Sequence, residues 1–384
     1  MTVSPLERGH IAESVGGGRG ELALRLGSLI DDNGVAEQPA ITPEVDSGVI
    51  LEAREIPGLP EGFFNAAVWR EDDATFLLGR YVKERGKPGE PDTGALMLAV
   101  LAGEPSEVVE LSSIWEPDGA GDQIEDARAM QHKGLVVLGY SRLAQVDGRY
   151  VPFPSYSVTT TEQLRKGALP STYFITELGE GRETTPVGGG PNMYHLLPGK
   201  NTTPFGQGEF MFRPEDETHR LLLFSVDVIG TAHAEQHLEF PKDEMPPWAE
   251  FKIGSTMPPV WLNDKEAIFV FHGIQMVDGK YHYSIGSARL YRDDQGNYAV
   301  DNFSQEPHIT PDYFAEMFSG KEVQLRPEER SAAYLCGGYP EYDENGSLTS
   351  IKTYPNVGDT HTVEVTLSAD KIMAGWNRDT PAAA

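Results

Sequence analysis

From about residue 48 onward the chain reads as one short apolar run after another, each closed by turn residues. The clearest runs are Thr75–Val82, Leu135–Leu143, Tyr173–Leu178, Glu209–Arg213, Leu221–Ile229, Ala267–Ile274, Tyr281–Tyr291, Ala333–Tyr339 and Thr362–Leu367. They are rich in β-branched and aromatic residues and are roughly four to eleven residues long, which is strand length. Asp147-Gly148, Asp278-Gly279, Gln295-Gly296 and Asn345-Gly346 have the chemistry of tight hairpin turns. One short helix is predicted near Pro311–Phe318. The pattern predicts an all-β chain.

A coarse repeat lies over this pattern. Apolar strands ending in a polar group recur at Phe76–Arg80, Leu135–Arg142, Phe210–Arg213, Ile268–His272 and Tyr334–Gly338. Their spacing, roughly 60 to 75 residues, suits a four-stranded blade with its loops. Five such units predict a five-bladed β-propeller over residues 48–384. In that architecture the first strand of each blade lines the channel, so the polar ends converge on one pocket. Residues 1–47 read as an N-terminal extension, with glycines between Gly16 and Gly20 and a polar, proline-containing stretch up to Pro43. That segment is suited to an edge strand, a short helix or an oligomer contact.

Composition narrows the partners. There are 31 Lys and Arg against 59 Asp and Glu, a formal charge of −28. Such a field repels nucleic-acid phosphates and anionic membrane surfaces, so neither is an expected partner. An anionic substrate would need a local basic exception. The single cysteine, Cys336, permits no disulfide framework. No apolar leader stretch opens the chain and no run reaches the length of a membrane span. A soluble, cytoplasmic protein is the expectation.

The stretch Ile124-Glu125-Asp126-Ala127-Arg128 stands directly ahead of an apolar strand from Gly134 to Tyr140. A carboxylate placed there needs a partner or a task, because an unpaired buried charge costs several kcal/mol. An ion-paired strand entry is one reading and a working acid is the other. The groups expected to converge are Asn65, Arg80, Asp126, Arg128, Lys200, Asn201, Arg213, His272 and Asp359. Together they would make a polar, anion-tolerant pocket. Taken one at a time, Lys200, Arg213 and His272 read more readily as salt-bridged or hydrogen-bonded strand ends, and Asp359 reads as well as a turn cap.

These residues also carry a resemblance. Phe63-Phe64-Asn65-Ala66-Ala67 with Leu77-Leu78-Gly79-Arg80 resembles the first blade of glycoside hydrolase family 130, the β-mannoside phosphorylases. Glu125-Asp126-Ala127-Arg128 is similar to that family's Glu-Asp-Pro-Arg signature, with Ala127 in place of proline. Lys200-Asn201 and Arg213-Pro214, Pro258-Pro259 and His272-Gly273, and finally Cys336-Gly337 and Asp359-Thr360 follow the family's order. The resemblance implies a five-bladed propeller, an oligosaccharide substrate, inorganic phosphate as co-substrate, and neither metal nor organic cofactor. It implies Asp126 as general acid and Lys200, Arg213 and His272 as the phosphate site. Asn65, Arg80, Glu125, Arg128, Asn201 and Asp359 would bind the sugar or orient the acid. Glu125, next to Asp126 on an alternating strand, is expected to face away and support the site. A hydrolase, a mannosyltransferase and a non-catalytic glycan-binding propeller are the alternatives on this scaffold.

Other motifs carry less. His233 and His237 would pair on a metal only if their segment were helical, and no third ligand is near in sequence. Gly188-Gly189-Gly190 precedes Pro191 rather than opening a helix, unlike a nucleotide-phosphate loop. Arg165 and Arg182 are the candidates for a further phosphate-binding arginine.

Overall fold

A computed structural model describes residues 48–84, 93–116, 123–146, 149–168, 173–174, 199–206, 208–214, 218–226, 232–293, 295–314, 332–358 and 360–376. The predicted extension, residues 1–47, lies outside the described residues, as do Asp359, Arg182 and Gly188–Gly190.

After β1 (Ile50–Glu55), blade I is formed in order by β2 (Phe63–Glu71), β3 (Ala74–Glu84), β4 (Thr93–Ala102) and β5 (Glu107–Trp115). Blade II is β6 (Gln123–His132), β7 (Leu135–Val146), β8 (Arg149–Thr159) and β9 (Tyr173–Phe174). Blade III is β10 (Gly199–Gly206), β11 (Glu209–Pro214), β12 (Arg220–Val226) and β13 (Ala232–Glu239). Blade IV contains β14 (Lys252–Ser255), β15 (Val260–Trp261), β16 (Glu266–Val277), β17 (Lys280–Arg292) and β18 (Tyr298–Asp301), with β15 pairing on β16 beside β14. Blade V contains β19 (Ala333–Tyr334), β20 (Gly338–Tyr342), β21 (Leu348–Thr353), β22 (Asn356–Val357) and β23 (His361–Ser368). β1 pairs antiparallel with β23, so the two ends of the described chain close the ring within one sheet. The fold is a five-bladed β-propeller.

Within the described residues the predicted strands are present, with one departure; residues 175–178 of the run from Tyr173 and residues 227–229 of the run from Leu221 lie outside them. The run Ala333–Tyr339 is split into β19 and β20, because Gly337 passes against Ala66 and Val68 of blade I where any side chain would collide. Of the helix predicted near Pro311–Phe318, Asp312–Phe314 form a 3-10 turn and residues 315–318 lie outside the described residues. His237 and the backbone of His233 lie in the strand β13, so the helical spacing needed for a metal pair does not exist.

Why the apolar runs are continuous follows from packing. Each blade is covered on both faces, and the buried side chains divide into five clusters, one per blade–blade seam. In β3, Phe76 and Leu78 enter the seam with blade II, while Leu77 points into the seam with blade V. In β16, Ala267, Phe269 and Phe271 pack toward blade III, whereas Ile268 and Val270 pack toward blade V. Period-two geometry thus feeds two cores from one strand, which removes the polar half of the usual alternation.

The ring closure has an electrostatic bolt. Glu364 on β23 is 2 % exposed and accepts from Arg54 Nε of β1 at 2.7 Å and from the Tyr354 hydroxyl at 3.1 Å. Lys352 Nζ lies 3.6 Å away. Glu364→Ala would leave two cations without their buried partner while Arg54 keeps Glu52 and Glu104. We expect a loss of about 3 kcal/mol, read as a lower urea midpoint.

A second expectation concerns acid. His308 is buried with Nε2 2.8 Å from the Ser287 hydroxyl, and burial pushes its pKa down to about 4 from 6.5. Between those values the unfolded chain binds the extra proton, so stability is lost as pH falls from about 6.5 towards about 4. This group contributes on the order of 3 kcal/mol to that loss. His308→Gln should flatten the decline in urea midpoint across that window.

Candidate functional site

Three inner strands share one irregularity. Asn65 on β2, Asp126 on β6 and Asn201 on β10 have φ of 51°, 53° and 61°, in the left-handed region. At each the pairing with the next strand slips, between Phe64 and Ala67, Glu125 and Arg128, and Lys200 and Thr203. Asn and Asp enter this conformation more easily than other residues with a side chain. The slip defeats strict alternation, so consecutive residues line the same side. Glu125 and Asp126 both line the pocket, as do Lys200 and Asn201. The expectation that Glu125 faces away is therefore corrected: it forms the pocket wall and pairs with Arg80 at 3.1 Å.

The pocket lies where the inner strands converge and encloses about 340 Å³. Asn65, Arg80, Glu125, Asp126, Lys200, Asn201, Arg213 and His272, all expected from sequence, line it together with Tyr283, Ala332 and Tyr334. Inner strands supply Asn65, Glu125, Asp126, Lys200 and Asn201, whereas Arg80, Arg213 and His272 come from the second strands β3, β11 and β16. Four of the five strand ends found in the sequence repeat, at Arg80, Arg142, Arg213 and His272, thus belong to second strands, and Arg142 of β7 stays outside the lining.

Asp126 is held at both oxygens. Asn65 Nδ2 donates to Oδ1 at 2.7 Å, and the Tyr334 hydroxyl lies 3.1 Å from Oδ2. Opposite stand the cations. Lys200 and Arg213 are cross-strand partners on β10 and β11. Arg213 is 7 % exposed and donates to the Ile253 carbonyl at 2.5 Å, and neither residue has a carboxylate partner among the described residues. Burial lowers the Arg213 pKa, yet a guanidinium stays charged under these conditions. His272 is 1 % exposed; burial first, then Arg213, Arg128 and Lys252, hold its pKa well below the ordinary imidazole range. It is a neutral ring beside two cations.

Arg128 departs from expectation. It is fully buried and does not line the pocket. Its guanidinium lies beneath it, donating to the Asp126 carbonyl at 2.5 Å, Thr256 carbonyl at 3.1 Å, Asn201 Oδ1 at 3.1 Å and the Tyr334 hydroxyl at 3.2 Å. Its contacts are with the protein, so a direct grip on substrate is replaced by support of the floor. Arg165, one candidate for an additional anion-binding arginine, is at the surface and pairs with Glu110.

Sequence reading missed Tyr283 and Tyr334, which look like ordinary strand aromatics. The turn Asp278-Gly279 held a usable signal for the first: it pairs His272 with Ile285, putting Tyr283 two residues away on the same face. The rings of His272 and Tyr334 are 4.5 Å apart, and Tyr283 stands 6.0 Å from each. Around the pocket, Asn65 Oδ1, Asn201 Nδ2 and His272 Nδ1 are buried without a hydrogen-bond partner in the protein. Among the described residues, no group of three or more His, Cys, Asp or Glu is arranged as metal ligands.

No protein-family profile matches the chain, and no curated protein matches it. Solved structures do. The β-1,2-mannobiose phosphorylase from Listeria innocua, solved with β-1,2-mannobiose, aligns with a TM-score of 0.56 at 13% identity, over 87% of this chain and 94% of that one. A glycosyl hydrolase from Bacteroides ovatus aligns with a TM-score of 0.52 at 15% identity, over 91% and 96%. A structure described under glycoside hydrolase family 130, with hydrolases targeting β-1,2 mannosidic linkages in Candida mannan, aligns with a TM-score of 0.54 at 12% identity, over 92% and 99%. The likeness is one of fold. It is the propeller to which the sequence motifs pointed.

Gly254 on β14 supplies a test of the pocket as a unit. A methyl group there would lie 2.4 Å from both Asn201 Nδ2 and His272 Nε2. Gly254→Ala should displace both side chains. Shifts of the His272 ring and Asn201 side-chain amide NMR resonances in the variant against wild type check this, with thermal unfolding as the control for folding.

Proposed function

We propose that this protein is an inverting phosphorylase that cleaves a β-mannoside, or a related β-linked oligosaccharide, and releases a sugar 1-phosphate. The observation that carries the reading is the pairing of charges in one small pocket. The Asp126 carboxyl group faces two cations, Lys200 and Arg213, that have no carboxylate partner among the described residues, and the neutral imidazole of His272. Two fixed positive charges with a hydrogen-bonding ring suit a phosphate dianion, and they supply the local basic exception in a chain of net charge −28.

In this reading a phosphate oxygen attacks the anomeric carbon from the face opposite the glycosidic oxygen. The new carbon–oxygen bond forms as the glycosidic bond breaks, and that electron pair stays with the leaving oxygen. The leaving oxygen takes the proton of Asp126, directly or through a sugar hydroxyl. Asp126 ends the step as a carboxylate and regains a proton from solvent. Asn65, Arg80, Glu125 and Asn201 present amide, guanidinium and carboxylate groups for sugar hydroxyls. Asp359 joins them on the strength of the sequence resemblance alone.

Hydrolysis is the second reading. It is favoured by one observation, the Glu125 carboxylate in the same wall, which would activate water if released from Arg80.

The deciding assay incubates the protein with β-mannobioses of different linkage, with and without phosphate. We expect phosphate-dependent formation of mannose 1-phosphate. Free mannose released equally well without phosphate would overturn phosphorolysis in favour of hydrolysis. Asp126→Asn should lower turnover by about a hundredfold or more, and full turnover in that variant would remove Asp126 from the role of acid.

A further inference from the structure

Tyr334 accounts for a contact that the catalytic scheme above leaves without a purpose. Its hydroxyl has one proton and meets three groups: Arg128 Nη2 at 3.2 Å, Asn201 Oδ1 at 2.8 Å and Asp126 Oδ2 at 3.1 Å. Arg128 is only a donor, so it occupies a lone pair of the hydroxyl oxygen. The single proton is then left with two destinations, the Asn201 carbonyl or the Asp126 carboxyl group.

Charge decides between them. While Asp126 is a carboxylate, the charge-assisted bond to Oδ2 is the stronger one. When Asp126 is protonated, Asn65 Nδ2 already donates to Oδ1, so the acid proton belongs on Oδ2. That places it against the tyrosine hydroxyl, which must turn its own hydrogen to Asn201. We infer that Tyr334 is a positioning residue whose hydroxyl proton swings from Asn201 to Asp126 as Asp126 gives up its proton. The interaction is then weakest in the ground state and strongest once the carboxylate has formed, which is the differential needed to lower a barrier. Buried deep beside Asp126, the phenol keeps its proton throughout.

Other charged groups face Asp126. Glu125 and Arg128 share its strand, and Arg80 stands on β3. Lys200 and Arg213 face it from blade III, and His272 and Tyr283 from blade IV. Cys336 lies near Arg128 and Tyr334. All are retained in Tyr334→Phe, which also keeps the ring against His272, so the variant isolates the hydroxyl.

As a kinetic device this rests on the proposed phosphorolysis; as a hydrogen-bond switch it does not, and the experiment separates them. With β-1,2-mannobiose and phosphate, Tyr334→Phe should lower kcat about ten- to a hundredfold. KM for phosphate should stay within about twofold, and the alkaline limb of the kcat/KM profile, where Asp126 loses the proton it must donate, should move to higher pH. If wild type turns over no β-mannoside, the functional reading fails. The switch is then read without substrate, from the midpoint of the Asp126 carboxyl-carbon NMR titration in wild type and variant. A midpoint moved upward in Tyr334→Phe supports it, and coincident midpoints overturn it. Should the phenylalanine variant misfold, replacement of Tyr334 by the more acidic difluorotyrosine serves instead, and the midpoint should then move downward.

Discussion

Arg128 is the constraint on which the site depends. Its guanidinium is buried, permanently charged and surrounded by neutral acceptors from four blades. The Asp126 carbonyl belongs to blade II, Asn201 to blade III, Thr256 to blade IV and Tyr334 to blade V. A buried cation with no carboxylate in direct contact is costly, so each acceptor must hold its place. The positions of Asp126, Asn201 and Tyr334 around the pocket are the other side of that requirement. The fold needs the acceptors for the charge, and the site inherits their geometry.

The same logic distinguishes this core charge from the rest of the molecule. Acidic residues dominate the chain, yet the pocket gathers Arg80, Lys200 and Arg213 around the two carboxylates Glu125 and Asp126, with the buried Arg128 behind them. At the ring closure the order is reversed, with one buried carboxylate, Glu364, serving Arg54 and Lys352. The closure pairs its charges within the protein. Among the described residues the pocket leaves two of its cations without such a pair, and that contrast supports the proposed anion site.

Much of this was legible in the sequence, for physical reasons. Apolar runs such as Phe76–Leu78 and Ala267–Phe271 announce strands buried on both faces, and their recurrence announces blades. The site residues were legible as types: a carboxylate, cations and amides recurring at strand ends. What strand periodicity could not convey was conformation. Glu125 was expected to face away because alternation is the rule for a strand, and the left-handed turn at Asp126 suspends it. Arg128 reads like a ligand-binding cation, and only the tertiary arrangement shows acceptors from four blades closing over it. Tyr334 was hidden because a tyrosine in an apolar strand looks the same whether its hydroxyl meets water or an acid. The split between β19 and β20 arises from the close passage of Gly337 against blade I, a contact between residues remote in sequence.

The left-handed backbone at Asn65, Asp126 and Asn201 limits what these positions can become. β-branched and bulky side chains are strained there, and the residues tolerated most readily are Asn, Asp and Gly. Each position is therefore a slot that accepts an amide, an acid or an empty place. Exchange between the first two changes a few atoms and leaves the backbone at rest. Divergence of chemistry on this ring would then proceed by trading carboxylate for carboxamide among three fixed slots, while the blades behind them drift freely in sequence.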